Sequence, residues 1–301
     1  MIGIQQIIKQ KMKKIVCIIF VLLNVLATFS KERTTLQMYR KHAKSGNPYY
    51  MRSYAEHLLY EKTAKDTIEA NKWLNKALEK EFKNLEWCKK NLNKRRQKSF
   101  STWRDVAFVE GTIGHIYYML GDMSNAMKYL LKAGNGEDLN AQRDLVEIYT
   151  KEKKWDQVVY WLTKQEAWFL LGIIYYDEKC GMQNYNFAYH YFKAAESVEI
   201  SIGLSAALSR AYLGIMLYKG LYNGKADYEI AFAYLKEGCA DKDCPAEAMR
   251  VLSACYRYGL GTNIDLKMSE HWLNEAANRG DDKAIEILMR EWLDKRVELM
   301  E

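Results

Sequence analysis

The sequence is poor in the residues that interrupt helices and in the motifs that carry chemistry. Two prolines, Pro48 and Pro245, stand in 301 residues, against 22 tyrosines and eight tryptophans. Proline is poorly tolerated inside helices, so its scarcity fits a chain that is helical almost throughout. No H-E-x-x-H spacing, G-x-S-x-G elbow, Walker loop or C-x-x-C pair occurs, and the five histidines, His42, His57, His115, His190 and His271, stand far apart. No serine or cysteine can be paired with a base from its spacing. The chain therefore reads as a non-enzyme with no cofactor. Excess charge is scarce too. Lys9, Lys11, Lys13 and Lys14 fall in the first 30 residues, which hold no acid; removing those four from the formal +7 leaves +3. That lacks the basic footprint of a nucleic-acid binder.

What is present begins with those first 30 residues. Lys13 and Lys14 precede the apolar run Ile15 to Leu26, broken only by Asn24, and small residues follow at Ala27 and Ser30. A basic start, about a dozen apolar residues and a small-residue exit make a secretory signal peptide. Val25-Leu26-Ala27 is the expected cleavage tripeptide, and Met12 stands where such a signal would normally begin. The run is short for a membrane span, which needs about 20 apolar residues. Residues 1–30 are thus expected to be a leader, and the protein periplasmic or secreted, with membrane contact only through an uncleaved signal. Beyond the leader lie Cys88, Cys180, Cys239, Cys244 and Cys255, an odd number that leaves at least one without an intrachain partner. Cys239 and Cys244 are close enough for a local bridge. A zinc set of these two with Cys255 and His271 fits no standard spacing, and buried inert thiols are the plainer expectation.

A repeat runs through the rest. Asp265, Ser269, Trp272 and Ala276 define offsets of four, seven and eleven, which recur at Asp227, Ala231, Tyr234, Gly238 and at Asn184, Ala188, Tyr191, Ala195. They return at Asp122, Ala126, Tyr129, Ala133 and at Asp66, Ala70, Trp73, Ala77, with a degraded copy at Lys154, Val158, Trp161, Gln165. An Asp or Asn at a helix start accepts a backbone N–H, and the following offsets share one helix face. Each of these B helices follows an A helix marked by Tyr54-Ala55, Ile113-Gly114, Leu145-Val146, Leu171-Gly172, Leu213-Gly214 or Leu252-Ser253, with a small residue usually at the crossing. The second and third units have a short turn, nine residues from A-helix mark to B-helix cap; the last three have 13 or 14, with glycines as in Tyr258-Gly259-Leu260-Gly261-Thr262.

From Ala248 to Ala284 the chain reads A-x3-L-x3-Y-x2-G-x-G-x3-D-x6-W-x3-A-A-x2-G-x3-A, which resembles the Sel1-like repeat, a long-turn relative of the tetratricopeptide repeat. The second and third units look more like ordinary tetratricopeptide repeats. The resemblance implies an all-α, α/α superhelical solenoid of about six helix hairpins, near residues 50–80, 107–135, 140–165, 167–197, 207–240 and 246–280, within a repeat domain of 31–301. A charged cap over 281–301, marked by Ala284, Leu288 and Trp292, closes the array, and Leu36, Met38, Tyr39 and Ala43 suggest a short opening helix. It implies a binding role and no catalytic set. Exported proteins of this kind often act as antitoxins to secreted effectors, phospholipases among them, so an immunity protein that binds a toxin is the leading expectation. A cell-envelope hydrolase, or a regulator of peptidoglycan metabolism, is the alternative. Some exported relatives are linked to β-lactams, but those carry regularly paired cysteines in each repeat, which this chain lacks.

In such arrays the A helices line the binding side. Positions two, five and six after each A-helix mark turn toward it, giving Tyr60, Tyr118, Tyr176, Tyr218 and Tyr258 with Glu56, His115, Glu147 and Arg257; two residues before the mark come Arg52, Arg143 and Arg250. Tyrosine and arginine dominate binding hot spots. The competing expectation is that these tyrosines pack between adjacent A helices. Extra chain near Phe82 to Ser101 carries Lys83, Lys89, Lys90, Lys94, Arg95, Arg96 and Lys98, read either as contact with an acidic partner or anionic headgroups, or as a solvated helix and loop.

Overall fold

The computed structural model describes residues 35–61, 63–95, 101–198 and 204–298. The leader, with its expected cleavage point, lies outside the described residues. Among these residues every regular element is helical. A short α1 over 35–44 opens the chain. It is followed by α2 (Pro48–Glu61), α3 (Ala64–Arg95), α4 (Ser101–Met119), α5 (Met123–Asn135), α6 (Leu139–Lys151) and α7 (Trp155–Lys164). Then come α8 (Trp168–Tyr176), α9 (Tyr185–Val198), α10 (Leu204–Lys219), α11 (Tyr228–Gly238), α12 (Ala246–Tyr258), α13 (Leu266–Asn278) and α14 (Asp282–Glu298). The even-numbered helices from α2 to α12 carry the A pattern, and the odd-numbered helices from α3 to α13 the B pattern. The chain divides into two compact units, Met1–Leu145 and Val146–Glu301, described separately below.

The B-helix offsets act as caps and packing surfaces. Asp122, Asp227 and Asp265 accept the backbone N–H three residues on, at 3.0–3.1 Å. Asn184 accepts from Asn186 and Phe187. The degraded copy at Lys154 makes no side-chain cap bond. In the first repeat the cap is Thr63, not Asp66: the Asp66 N–H donates to Thr63 Oγ1 at 3.1 Å, and the Thr63 hydroxyl returns to the Asp66 carboxylate. That is a reciprocal capping arrangement, with the acid in the first turn.

The residues at offsets four and eleven are buried, apart from half-buried Gln165 in the degraded copy, while the offset-seven aromatic is half-buried in every copy but Trp161. The deepest knob lies one residue further on, at offset eight: Leu74, Leu130, Leu162, Phe192, Leu235 and Leu273, none more than 3% exposed. The small A-helix residue exists to receive it. A Cβ on Gly172 would sit 2.5 Å from the Phe192 ring, and one on Gly214 would sit 2.6 Å from Leu235 Cγ. In the last hairpin Ser253 takes this place, and its hydroxyl donates to the Ser269 carbonyl at 2.8 Å.

In the first unit, α2 and α3 close over Met51, Tyr54, Ala55, Leu58, Ala70, Leu74 and Ala77. The extra basic chain is largely an extension of α3, which runs unbroken for 32 residues; residues 96–100 lie outside the described residues. The extension is held because Leu85 packs with Val109 and Ile113 of α4. It also meets the buried Glu110 carboxylate, which pairs with Lys89 of α3 at 3.5 Å and with Lys132 of α5.

In the second unit, α8 to α14 stack as hairpins around Leu213, Met216, Phe192 and Ala188, and around Ile215, Leu235, Leu252, Cys255 and Leu273. The long glycine turn after α12 is used twice. Gly259 takes φ +66° as the left-handed end of α12, and Gly261 comes so close to the Tyr228 carbonyl that a Cβ there would overlap it. Cys239 and Cys244 are joined across the turn between α11 and α12, so the four-ligand zinc set is not assembled. Cys88, Cys180 and Cys255 form no disulfide among the described residues. No helix among the described residues is long and apolar enough to cross a membrane.

Candidate functional site

The A-helix face of the first unit is organised by one imidazole. His115 of α4 binds Asp144 of α6 through Nδ1 at 2.7 Å and faces Glu56 of α2 through Nε2 at 3.5 Å. Arg52, one turn before Glu56, puts Nε 3.3 Å from the same carboxylate. Three successive A helices are thereby tied by an acid–base–acid bridge. Burial alone would lower the His115 pKa, but the bonds to Asp144 and Glu56 outweigh it and push it up to about 9. The imidazole is therefore cationic at neutral pH. Glu56 is held below the ordinary carboxylate range chiefly by its bond to His115, against the opposing effect of burial. Around the bridge, Tyr60 is 83% exposed at the end of α2. Tyr118 is half-buried, and Arg143 is exposed and donates to Asn140 on its own helix at 2.9 Å.

The A-helix face of the second unit is built on rings. The Tyr176 ring of α8 meets Tyr212 of α10 edge-on at 5.2 Å, with Tyr185 and Phe192 at 6.0 and 6.3 Å. Tyr212 stacks on Phe192 at 5.0 Å. The Tyr176 hydroxyl emerges 3.5 Å from Glu247 Oε2 of α12, and Lys219 of α10 donates to the other oxygen of that carboxylate. Burial, reinforced by Glu247, raises the Tyr176 phenol well above its ordinary pKa, so it stays a neutral donor. These groups border a cavity of about 410 Å³, lined also by Ile173, Asp177, Glu178, Gln183, Tyr185 and Leu221. Its charged lining is three acids, Asp177, Glu178 and Glu247, against one base, Lys219. A pocket of that sign, with tyrosine walls, suits a basic side chain held between carboxylates and aromatic faces.

None of the remaining expected residues lines this cavity. Arg250 reaches Glu247 at 3.5 Å, but its main bond is to Asp281 at 2.9 Å, the residue that caps α14. Arg257 pairs with Glu291 of α14. Tyr218 is half-buried and packs edge-on against Tyr228 at 5.5 Å, whereas Tyr258 is 65% exposed. Glu147 is exposed and pairs with Lys151 one turn on, at 2.6 Å. Tyr176 both packs against its neighbours and lines the cavity, so the two expectations for it meet in one residue.

Several site residues were not singled out from the sequence. Asp177 and Lys219 occupy the sixth position after Leu171 and Leu213, the same place as Tyr60 and Tyr258. Asp144 and Tyr212 stand one residue before their A-helix marks; at 100° per residue that is beside the sixth position on the helix face. The signal was therefore in the register: the sixth position already covered Asp177 and Lys219, and a wider arc would have included Asp144 and Tyr212.

The Sel1 repeat family model matches residues 48–82, 166–197, 207–243 and 246–281. These are the first hairpin and the last three, leaving out the two short-turn units. No curated protein matches the chain. Among solved structures it is similar to c5321, a protective antigen present in uropathogenic Escherichia coli strains displaying an SLR fold. The identity is 19% over 83% of this chain and 50% of that one, with a TM-score of 0.52. It is also similar to a Sel1 repeat protein from Oxalobacter formigenes, at 17% identity over 85% of this chain and 79% of that one, with a TM-score of 0.43. The chain thus spans about half the length of c5321. With four matched repeats and helix hairpins throughout the described residues, the chain carries four Sel1 repeats, helical-repeat modules that generally mediate protein–protein interaction.

Proposed function

We propose that this chain is an exported, non-catalytic binding protein that neutralises a secreted toxic effector by engaging it along its A helices. The observation that carries the reading is the cavity of the second unit, where Asp177, Glu178 and Glu247 outnumber Lys219 beside Tyr176, Tyr185 and Tyr212. Such a pocket fits a lysine or arginine presented by a protein, with the tyrosine hydroxyls adding directional bonds. The exposed Tyr258 supplies a further contact residue in the same unit. The apolar leader motif supports export, and so does the Cys239–Cys244 pair, because such bonds persist in oxidising compartments.

The test is recovery of partners by the full chain from the exported fraction of its own cells. One dominant stoichiometric protein, whose toxicity falls when the two are co-expressed in the exported compartment, is the expected result. Turnover of a cell-wall substrate by the purified chain would contradict it.

A further inference from the structure

The outward face of α3 carries a strip that the cavity of the second unit does not involve. Lys65, Lys72, Lys76, Lys83 and Lys90 are all exposed and follow one another at spacings of seven, four, seven and seven. At 3.6 residues per turn those spacings keep the five within an arc of about 40° for about 38 Å of helix. The opposite face holds Ala70, Leu74, Ala77 and Leu85, all buried. No ion pair ties these five lysines to an acid among the described residues, whereas Lys89, turned toward α4, reaches Glu110. Glu79 and Glu86 flank the strip on one side. Glu69, on the other, is engaged inward by the Tyr54 hydroxyl at 3.1 Å and the Trp73 indole at 3.4 Å.

The strip is not purely charged. Ile68 is 72% exposed and Trp87 54% exposed, and Lys76 lies over the Trp73 ring at 4.8 Å. Ile68 and Trp73 line a shallow groove with Lys65, Lys72 and Lys76, and with the inward-bonded Glu69. Apolar and indole side chains set among lysines on one side of a helix are the composition of a surface that lies in a membrane interface. There the lysine stems cover apolar area while their ammonium groups reach the phosphates. We infer that this face of α3 is a docking surface for an anionic lipid bilayer.

Geometry favours a bilayer over an acidic protein. A straight row of charges about 38 Å long meets a plane at every position at once, while a curved protein surface meets only part of it. Lipid headgroups also gather under a fixed row of cations, and indoles are favoured at headgroup level. The contact is separate from any made by the apolar leader and independent of the cavity in the second unit.

The experiment is flotation of the full chain with vesicles of phosphatidylcholine, with and without phosphatidylglycerol. Because Ile15–Leu26 can itself enter lipid and Lys9, Lys11, Lys13 and Lys14 attract anionic headgroups, the readout is the part of the gain on adding the anionic lipid that changes confined to α3 remove. The gain should fall about fivefold for each lysine neutralised in Lys72→Gln, Lys76→Gln and Lys83→Gln. For the unmodified chain it should fall steeply with added salt. Trp87→Phe should reduce the blue shift of tryptophan fluorescence on binding. Should the three changes together disturb folding, the single changes decide, and Lys72→Arg with Lys76→Arg and Lys83→Arg, which keeps the charge, should retain the gain. Equal binding to both vesicle types, or a gain that survives the triple change or high salt, would overturn the inference. So would binding of an acidic polypeptide, such as polyglutamate, in place of the anionic vesicles.

Discussion

The two units use the same face of the same kind of helix in opposite ways. In the first, three A helices are linked by charge: Glu56, His115 and Asp144, with Arg52 beside them. In the second, the corresponding surface is linked by rings, Tyr176 on Tyr212 on Phe192, with Asp177, Glu178, Lys219 and Glu247 as the charged lining of the cavity beside them. A repeat fixes where a side chain points, not what it does there. The ionic face neutralises itself internally; the aromatic face leaves a cavity with surplus acid. That is why the second unit holds the better candidate site, although both present tyrosine and arginine at the expected positions by sequence.

The largest effects should come from what the units share, the offset-eight knobs. Phe192→Ala should cost about 3–5 kcal/mol and Leu130→Ala about 2–5 kcal/mol, because each empties a space shaped by the glycine opposite. Urea unfolding followed by hydrogen exchange within each unit would show both, and a cost below about 1 kcal/mol at either would break the knob account.

Next comes the ionic bridge, which separates the units by pH. The folded pKa of His115, about 9, lies above its ordinary 6.5, so its stabilisation is complete below pH 6.5 and is lost as pH rises through about 9. Glu56, depressed from 4.5, contributes above that value and loses its contribution as pH falls. His115→Gln should therefore cost about 1.5–3 kcal/mol near pH 6 and progressively less above pH 9. A pH-independent cost, or a histidine resonance titrating near 6.5, would show that the bridge is not formed in solution.

A smaller effect sharpens the aromatic side. Tyr176→Ala should cost about 1–2 kcal/mol, as a half-buried ring is lost, while Tyr176→Phe should change stability by less than about 0.5 kcal/mol, since the 3.5 Å contact with Glu247 is long. If the Phe variant is as unstable as the Ala variant, the hydroxyl is structural and the ring argument fails. Tyr60→Ala, at a residue 83% exposed, should leave stability within about 0.5 kcal/mol.

Much of the fold was legible because helix periodicity and capping are local. The offsets at Asp122, Asp227 and Asp265 became caps, and the short and long turns separated the hairpins that match the family model from the two that do not. The identity of the deepest knob was not legible: offsets seven and eight both face inward, and only the position of the opposing glycine distinguishes Phe192 from Tyr191. Nor was it legible that α3 continues unbroken through Arg95, since the lysine-rich stretch fitted a solvated helix and loop as well, and the contact of Leu85 with Val109 and Ile113 is not local. Register put Tyr176 and Arg250 on the A-helix face, and of the two Tyr176 lines the cavity. That Arg250 is held by Asp281, while Lys219 and Asp177 border the cavity, depends on how neighbouring hairpins stack within the unit.

The most direct test of the central claim changes the charge of the cavity without touching its frame. Glu178 is exposed, and Asp177 accepts the Lys179 N–H at 2.9 Å, a bond that asparagine can also accept. The pair Asp177→Asn with Glu178→Gln therefore removes two of the three acids while keeping the local turn. The full chain carrying both changes should melt within a few degrees of the unmodified protein and recover its exported partner at least about tenfold more weakly, the loss expected for two charge contacts. Unchanged recovery with unchanged melting would place the partner away from this cavity and contradict the account.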